Sequence, residues 1–127
     1  MFNYGKYRKE KKIIRDLIFK YYHEGHAKCN GELYRPFLHD EWKLFILPDD
    51  TKISIINKED YIKAYSPVDY DASLLWKTKI YYMDVYDKMA SVKLKISNQK
   101  FGYMDYFNLM KVNGNWQIVH KISQMIN

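Results

Sequence analysis

The sequence predicts an α+β domain in which helices cover one face of a curved β-sheet. Three observations carry this prediction: an amphipathic helical pattern near the start, strand patterns through the last third, and the dipeptide Asn113-Gly114 between two of those strands. Asn-Gly is typical of a two-residue hairpin, because both central residues of the favoured turn need a positive φ. The 127 residues are enough for a single domain, residues 1–127, whose core needs no disulfide or metal.

The first helix is predicted over residues 9–28, where apolar side chains recur at the spacing of one helical stripe. Charged side chains fall mostly on the other side, so the helix should lie on an apolar surface. The stripe comprises Ile13, Ile14, Leu17, Ile18, Tyr21 and Tyr22.

Two shorter helices are expected in the same half of the chain. Asn30 can cap a second helix through residues 32–34, and Pro36 should end or kink it because proline lacks a donor and crowds the preceding turn. Asn57 opens a third helix, with Asp60 three residues on as in a capping box. Ser66-Pro67 stops that helix, and residues 67–73 form a loop.

Six strands are predicted from β-branched, aromatic and alternating residues. They are residues 42–47, 51–56, 77–86 and 90–97, followed by the two arms of the hairpin within residues 101–123. In the fourth strand, alternate residues are apolar and polar, which predicts one buried and one solvated face.

Composition narrows the class of protein. No stretch approaches the roughly 20 apolar residues of a membrane span, and the basic start is followed by a run too interrupted for a signal peptide. The single cysteine, Cys29, is consistent with a reducing compartment, so we expect a cytoplasmic protein. The net charge of +6 is dispersed and no nucleic-acid-binding motif accompanies it, which disfavours a nucleic-acid partner.

The hairpin contains the best candidate polar pair. With a regular register around Asn113-Gly114, Phe107 pairs with His120, and Asp105 lies diagonally from His120 on a mostly apolar face. A carboxylate beside a histidine can serve general acid–base catalysis. The alternative is a structural hydrogen bond that closes the wide end of the sheet, and Tyr22 can either donate to a ligand or simply pack in the core.

Metal binding is not predicted. His23, His26 and Cys29 recur every three residues on the first helix, but that spacing spreads them around the helix and no fourth ligand is evident. The chain has no phosphate-binding glycine loop, no nucleophile elbow and no paired-cysteine motif. No cofactor is therefore predicted.

Four segments together resemble one superfamily. They are residues 21–25 (YYHEG), 37–45 (FLHDEWKLF), 84–94 (DVYDKMASVKL) and 104–122 (MDYFNLMKVNGNWQIVHKI). The pattern is similar to the nuclear transport factor 2-like superfamily, also called SnoaL-like, and within it to the branch described as putative lumazine-binding. The resemblance implies a cone-shaped, cystatin-like roll: three helices in the N-terminal half pack on a strongly curved antiparallel sheet and enclose a pocket, often in a homodimer formed through the outer sheet face.

Enzymes of this fold include ketosteroid isomerase, scytalone dehydratase and limonene epoxide hydrolase, whereas other members are scaffolds, so the fold leaves function open. Tyr22 and Asn30 fit the isomerase spacing of a helix-one tyrosine and a capping residue. The general-base position of that pattern falls on Ile46, which cannot accept a proton, and this excludes the isomerase chemistry.

The leading hypothesis is a domain that binds a small apolar or aromatic molecule between the first helix and the sheet. A second hypothesis is a cofactor-independent lyase, isomerase or cyclase in which Asp105 and His120 move a proton and Tyr22 polarises an oxygen. A third is a dimeric interaction module with a filled interior. The predicted ligand-binding residues are Tyr22, Trp42, Phe45, Tyr81, Asp105, Phe107 and His120.

Overall fold

The computed structural model describes residues 5–126, and residues 1–4 and 127, which belong to the predicted domain, lie outside the described residues. Helices precede the first two strands, a third α-helix follows those strands, and four long strands complete the chain. The α-helices are α1 (Arg8–Leu17), α2 (Glu24–Ala27) and α3 (Lys58–Ala64). The strands are β1 (Leu38–Asp49), β2 (Lys52–Asn57), β3 (Lys77–Tyr86), β4 (Met89–Ser97), β5 (Gly102–Val112) and β6 (Asn115–Ile126).

The predicted first helix is confirmed, and it contains an irregularity. A π-helical segment, Ile18–His23, joins α1 to α2 without a break. The residues that face the core, Ile14, Ile18, Tyr22 and His26, are spaced by four and are almost completely buried. A regular α-helix would rotate such a series gradually off one face, whereas the wider π-helical turn keeps it aligned.

The predicted caps of the shorter helices are also confirmed. The Asn30 side chain accepts from the Glu32 amide at the start of a 3₁₀-helix, Gly31–Tyr34. The Asn57 side chain accepts from the Asp60 amide at the start of α3. Both bonds satisfy backbone donors that a helix start leaves without partners. A further 3₁₀-helix, Pro67–Asp69, lies in the predicted loop.

The six strands form one curved sheet in the order β2-β1-β6-β5-β4-β3. The α+β class and the packing of helices on a curved sheet are confirmed. The sheet is mixed, however, because β1 and β6 run parallel while every other neighbouring pair is antiparallel. No local sequence pattern predicts the pairing of β1 with β6, since the two strands are distant in sequence.

The predicted register of the last hairpin is correct next to its turn and wrong beyond it. Val112 pairs with Asn115 and Leu109 with Ile118, but the ladder shifts by one residue between Asn108 and Leu109. Val119 is the extra residue on β6, which makes a β-bulge. The bulge reverses the faces of all later residues on β6, so Phe107 pairs with Lys121 and not with His120.

The interior between helices and sheet is filled largely by aromatic rings. Trp42, Tyr22, Tyr34, Phe37 and Phe107 are each at most 1% exposed. Gly25 permits this packing, because a Cβ on that residue would overlap the ring of Tyr34. Among the described helices, none is long and apolar enough to cross a membrane.

Candidate functional site

A chain of buried polar groups crosses the core from the first helix to the sheet. The π-helical segment presents Tyr22, β5 presents Asp105, and β6 presents Lys121. The Tyr22 hydroxyl donates a short hydrogen bond to Asp105 Oδ2, and Lys121 Nζ donates to the same hydroxyl over 2.8 Å. Tyr22 therefore bridges a buried acid and a buried base.

Lys121 is 3% exposed, and its contacts with neighbouring side chains compensate for the burial of its charge. Its ammonium also donates to the Tyr61 hydroxyl over 2.9 Å and lies 4.4 Å from the centre of the Tyr61 ring. Burial lowers the pKa of Lys121 to about 8, and the nearby Asp105 carboxylate opposes that decrease. Burial and Asp105 together raise the pKa of Tyr22 well above its ordinary value, so Tyr22 keeps its proton at neutral pH.

Two polar atoms beside this cluster have no hydrogen-bond partner among the described residues. They are Asp105 Oδ1, an acceptor, and Trp42 Nε1, a donor, and both are buried. Trp42 is close to the cluster, since Lys121 Nζ lies 5.9 Å from its ring centre. Unpaired buried polar atoms are uncommon in a folded chain and often mark sites with a role beyond packing.

His26 connects the buried cluster to the protein surface. Its Nδ1 lies 3.0 Å from the Tyr22 carbonyl oxygen and 2.9 Å from the Tyr34 hydroxyl. A carbonyl oxygen can only accept, so Nδ1 carries the proton and Nε2 is left as an acceptor. Nε2 faces the Tyr65 hydroxyl at 3.5 Å. Burial, reinforced by the charge of Lys121, lowers the pKa of His26 to about 3, which keeps the ring neutral.

On the far side of His26 a cleft of about 360 Å³ opens to the surface, which we call the aromatic cleft. It lies between the end of the first helix, the end of α3, the loop before β3, and the start of β5. Its wall contains the rings of His26, Tyr65, Tyr70, Trp76, Phe101 and Tyr103, and Asp69 and Asp71 lie at its exposed rim. A volume of this size is within the range of small-molecule sites.

The sequence-predicted site residues are divided between the core and the surface. Tyr22, Trp42, Asp105 and Phe107 come together in the core. Phe45 and His120 contact each other on the outer face of the sheet, with ring centres 6.2 Å apart, and Tyr81 is 45% exposed on β3. None of the seven lines the aromatic cleft, although Phe45 lines an open groove of about 760 Å³ at the ends of β1 and β6.

The predicted Asp105–His120 pair is absent, and the bulge at Val119 is the reason. His120 Nε2 lies 2.9 Å from the Asn108 amide nitrogen on the outer face, whereas Lys121 takes the inward position. The sequence reasoning therefore missed Lys121, and it also missed His26 as a core residue. His26 could have been found by extending the stripe of Ile14, Ile18 and Tyr22 by one further step of four.

The three residues considered for a metal lie in different surroundings. His23 Nδ1 lies 2.8 Å from the Thr78 hydroxyl, and His26 is bonded within the core. Cys29 lies at the cleft wall, where burial raises the pKa of its thiol. Within residues 5–126, no group of three or more histidine, cysteine, aspartate or glutamate side chains could hold a metal ion.

A long helix over a curved six-stranded sheet, with a cleft at one end of their interface, defines a class of α+β rolls. The family model described as "Putative lumazine-binding" matches residues 9–123, so the chain belongs to that family. The similarity of this chain to solved NTF2-like structures places it within the nuclear transport factor 2-like superfamily. No match was found among curated proteins.

Solved structures with the same fold come from several bacteria. An NTF2-like protein of unknown function from Shewanella baltica is 25% identical, with a TM-score of 0.85 over 96% of this chain and 98% of that one. An NTF2-like protein from Methylobacillus flagellatus is 18% identical, with a TM-score of 0.78 over 94% of each chain. A ketosteroid isomerase-like protein from Erwinia carotovora is 13% identical, with a TM-score of 0.67 over 99% of each chain.

Proposed function

We propose that this protein binds a small, largely aromatic molecule in the aromatic cleft, with His26 Nε2 as the buried hydrogen-bond acceptor. One observation carries the proposal: a cleft with aromatic walls reaches a neutral, almost fully buried histidine. Apolar walls with a few well-placed polar groups are the usual composition of a ligand site. The proposed site lies at the end of the interface between the first helix and the sheet, and its lining differs from the seven residues predicted from the sequence.

In this proposal the core residues do not contact the ligand but orient His26 and keep it neutral. Tyr22 and Tyr34 fix the orientation of His26 through its Nδ1, so that Nε2 points towards Tyr65 and the cleft. Burial, reinforced by the charge of Lys121, lowers the pKa of His26 and so keeps Nε2 an acceptor. A ligand N–H or O–H group would donate to Nε2 while its ring packs against Trp76 and Tyr103.

Isothermal titration calorimetry with a panel of planar heteroaromatic compounds tests this proposal. The panel includes 6,7-dimethyl-8-ribityllumazine, because the family description names lumazine. Ala64→Phe should abolish binding, since Ala64 lines the cleft at an exposed position where a larger side chain can enter the cavity without disturbing the core. Lys63→Phe is the matched control, since Lys63 is exposed on the same helix and does not line the cleft. Binding that Ala64→Phe leaves intact would exclude this site.

A second candidate function is proton transfer by the buried cluster, and Asp105 Oδ1 without a partner favours it. In this version Asp105 accepts a proton through Oδ1, and the Lys121 ammonium, linked to the carboxylate through the Tyr22 hydroxyl, takes the place of the predicted His120 beside it. Deuterium exchange into 2-tetralone, followed by NMR, tests it. Tyr22→Phe should slow the exchange and His120→Gln should not. Exchange in the parent protein at the rate of buffer alone would exclude this proposal.

The outer face of the sheet supports the predicted homodimer. Tyr82, Tyr106, Met110 and Ile122 lie on that face and are each 43–51% exposed. Contiguous exposed apolar side chains commonly mark protein interfaces. Sedimentation equilibrium should show a dimer that Ile122→Lys converts to a monomer, while Lys79→Glu at the sheet edge leaves it intact. A parent protein that is monomeric across micromolar concentrations would contradict this assignment.

A further inference from the structure

We propose that the ligand of the aromatic cleft is an organic cation, such as a substituted ammonium ion. This inference rests on the proposed function, because it names the chemical class that the same cleft would take. The aromatic faces, the carboxylates at the rim and the composition of the lining all favour a positive charge.

The rings form a continuous band along the cleft. The His26 ring centre lies 5.1 Å from that of Tyr65 and 5.3 Å from that of Trp76. The Trp76 ring lies 5.5 Å from Phe101, which lies 6.0 Å from Tyr103. Faces of Trp, Tyr and Phe carry negative electrostatic potential, and tryptophan is the strongest binder of cations among them.

The charge of the lining is opposite to that of the chain as a whole. The protein has 21 lysine and arginine residues and a net charge of +6, yet no lysine or arginine lines the cleft. Asp69 and Asp71 supply two negative charges at its rim, and His26 is neutral. The hydroxyl and amide of Ser73 lower the pKa of the Asp71 carboxyl, with a smaller contribution from Lys100, which does not line the cleft.

The rings of the cleft are also not occupied by the protein's own cations. Lysine or arginine side chains lie over eight different aromatic rings in the described part of the chain, for example Lys93 over Tyr81 and Tyr106. None of these pairs involves Tyr65, Tyr70, Trp76, Phe101 or Tyr103. No lysine or arginine of residues 5–126 therefore competes with an external cation for these five rings.

His26 Nε2 adds a directional contact for cations that carry a proton. A protonated amine can donate to this acceptor, while a neutral ligand that only accepts hydrogen bonds cannot use it. The pocket would then discriminate against anions twice, through the rim carboxylates and through a histidine whose burial and position near Lys121 keep it unprotonated.

A matched pair of probes tests the inference by calorimetry. (4-Hydroxyphenyl)trimethylammonium is the cation, and 4-tert-butylphenol is its neutral isostere. We expect the cation to bind about tenfold more tightly, a factor that corresponds to 1.4 kcal/mol and lies within the range of cation–π contacts partly shielded from water. Equal or tighter binding of the isostere would overturn the cation inference and leave the proposed binding function in place.

Two variants distinguish the contribution of the rim carboxylates from that of the aromatic rings to the preference for the cation. Asp69→Asn combined with Asp71→Asn should weaken the cation several-fold and leave the isostere unchanged. Trp76→Leu should weaken both probes and reduce the preference for the cation, and a thermal melt confirms that the variant is folded. Lack of binding of either probe to the parent protein would overturn the inference, and lack of binding of the whole heteroaromatic panel as well would overturn the proposed function.

Discussion

The buried cluster and the aromatic cleft lie on opposite sides of His26 and differ in how far their charged groups are exposed to water. In the cluster, Asp105 and Lys121 are removed from water and depend on Tyr22 to bridge them. In the cleft, the carboxylates of Asp69 and Asp71 stay exposed and the aromatic rings are partly open to solvent. The fold thus holds a bridged pair of charges inside its core and leaves a set of aromatic rings accessible at one end.

The largest effect should follow from breaking the charge balance of the cluster. Asp105→Asn leaves Lys121 buried without its carboxylate, and we expect a loss of about 3–5 kcal/mol in the free energy of unfolding. Urea denaturation measures it, with Asp84→Asn on the exposed face of β3 as control. The double variant Asp105→Asn/Lys121→Met should lose less than the sum of the two single variants. Additive losses would mean that the two charges are not coupled.

Removing the bridging hydroxyl should have an intermediate effect. Tyr22→Phe deletes the hydroxyl between Asp105 and Lys121 but leaves the two opposite charges facing each other, so the loss should be close to that of a single hydrogen bond to a charged group, roughly 1.5–3 kcal/mol. We expect stability to fall within that range while probe affinity at the cleft is retained. Tyr82→Phe, on the exposed outer face, is the control. A loss of probe binding without a loss of stability would reverse the roles assigned to the two regions.

His26 should make the fold sensitive to acid. Its pKa is about 3 in the folded protein, against 6.5 for an ordinary histidine, so below pH 6.5 the unfolded chain takes up a proton that the folded chain does not. Stability should therefore fall with decreasing pH over this window, by up to roughly 1.4 kcal/mol per pH unit from this group. Denaturation between pH 7.5 and pH 4 measures the slope.

The matched pair for this measurement is His26→Gln and His120→Gln. The first should flatten the slope and the second should retain it, because His120 lies outside the core. Identical slopes in both variants would show that other groups control the acid response.

The smallest effect is expected on the outer face. His120→Gln replaces a partly exposed side chain whose polar contact is the Asn108 amide, and we expect a change within about 0.5 kcal/mol. A change as large as that of Asp105→Asn would contradict the assignment of His120 to the outer face.

Local patterns in the sequence were enough to predict the class, the helix caps and most strands. The stripe through Ile14, Ile18 and Tyr22 predicted the first helix, Asn57 with Asp60 predicted the start of α3, and Asn113-Gly114 predicted the hairpin. These features depend on contacts within a few residues, where propensity and hydrogen-bond geometry decide. The burial of Tyr22 and Asp105 was also predictable, since both lie on apolar faces.

Only the tertiary structure decided which base lies beside Asp105 and where a ligand could enter. A single extra residue at Val119 turns Lys121 inward and His120 outward, because strand faces alternate with every residue. The parallel β1–β6 pair and the aromatic cleft likewise join segments far apart in the chain. Such contacts depend on how whole helices and strands pack against one another, and a local sequence pattern does not predict that packing.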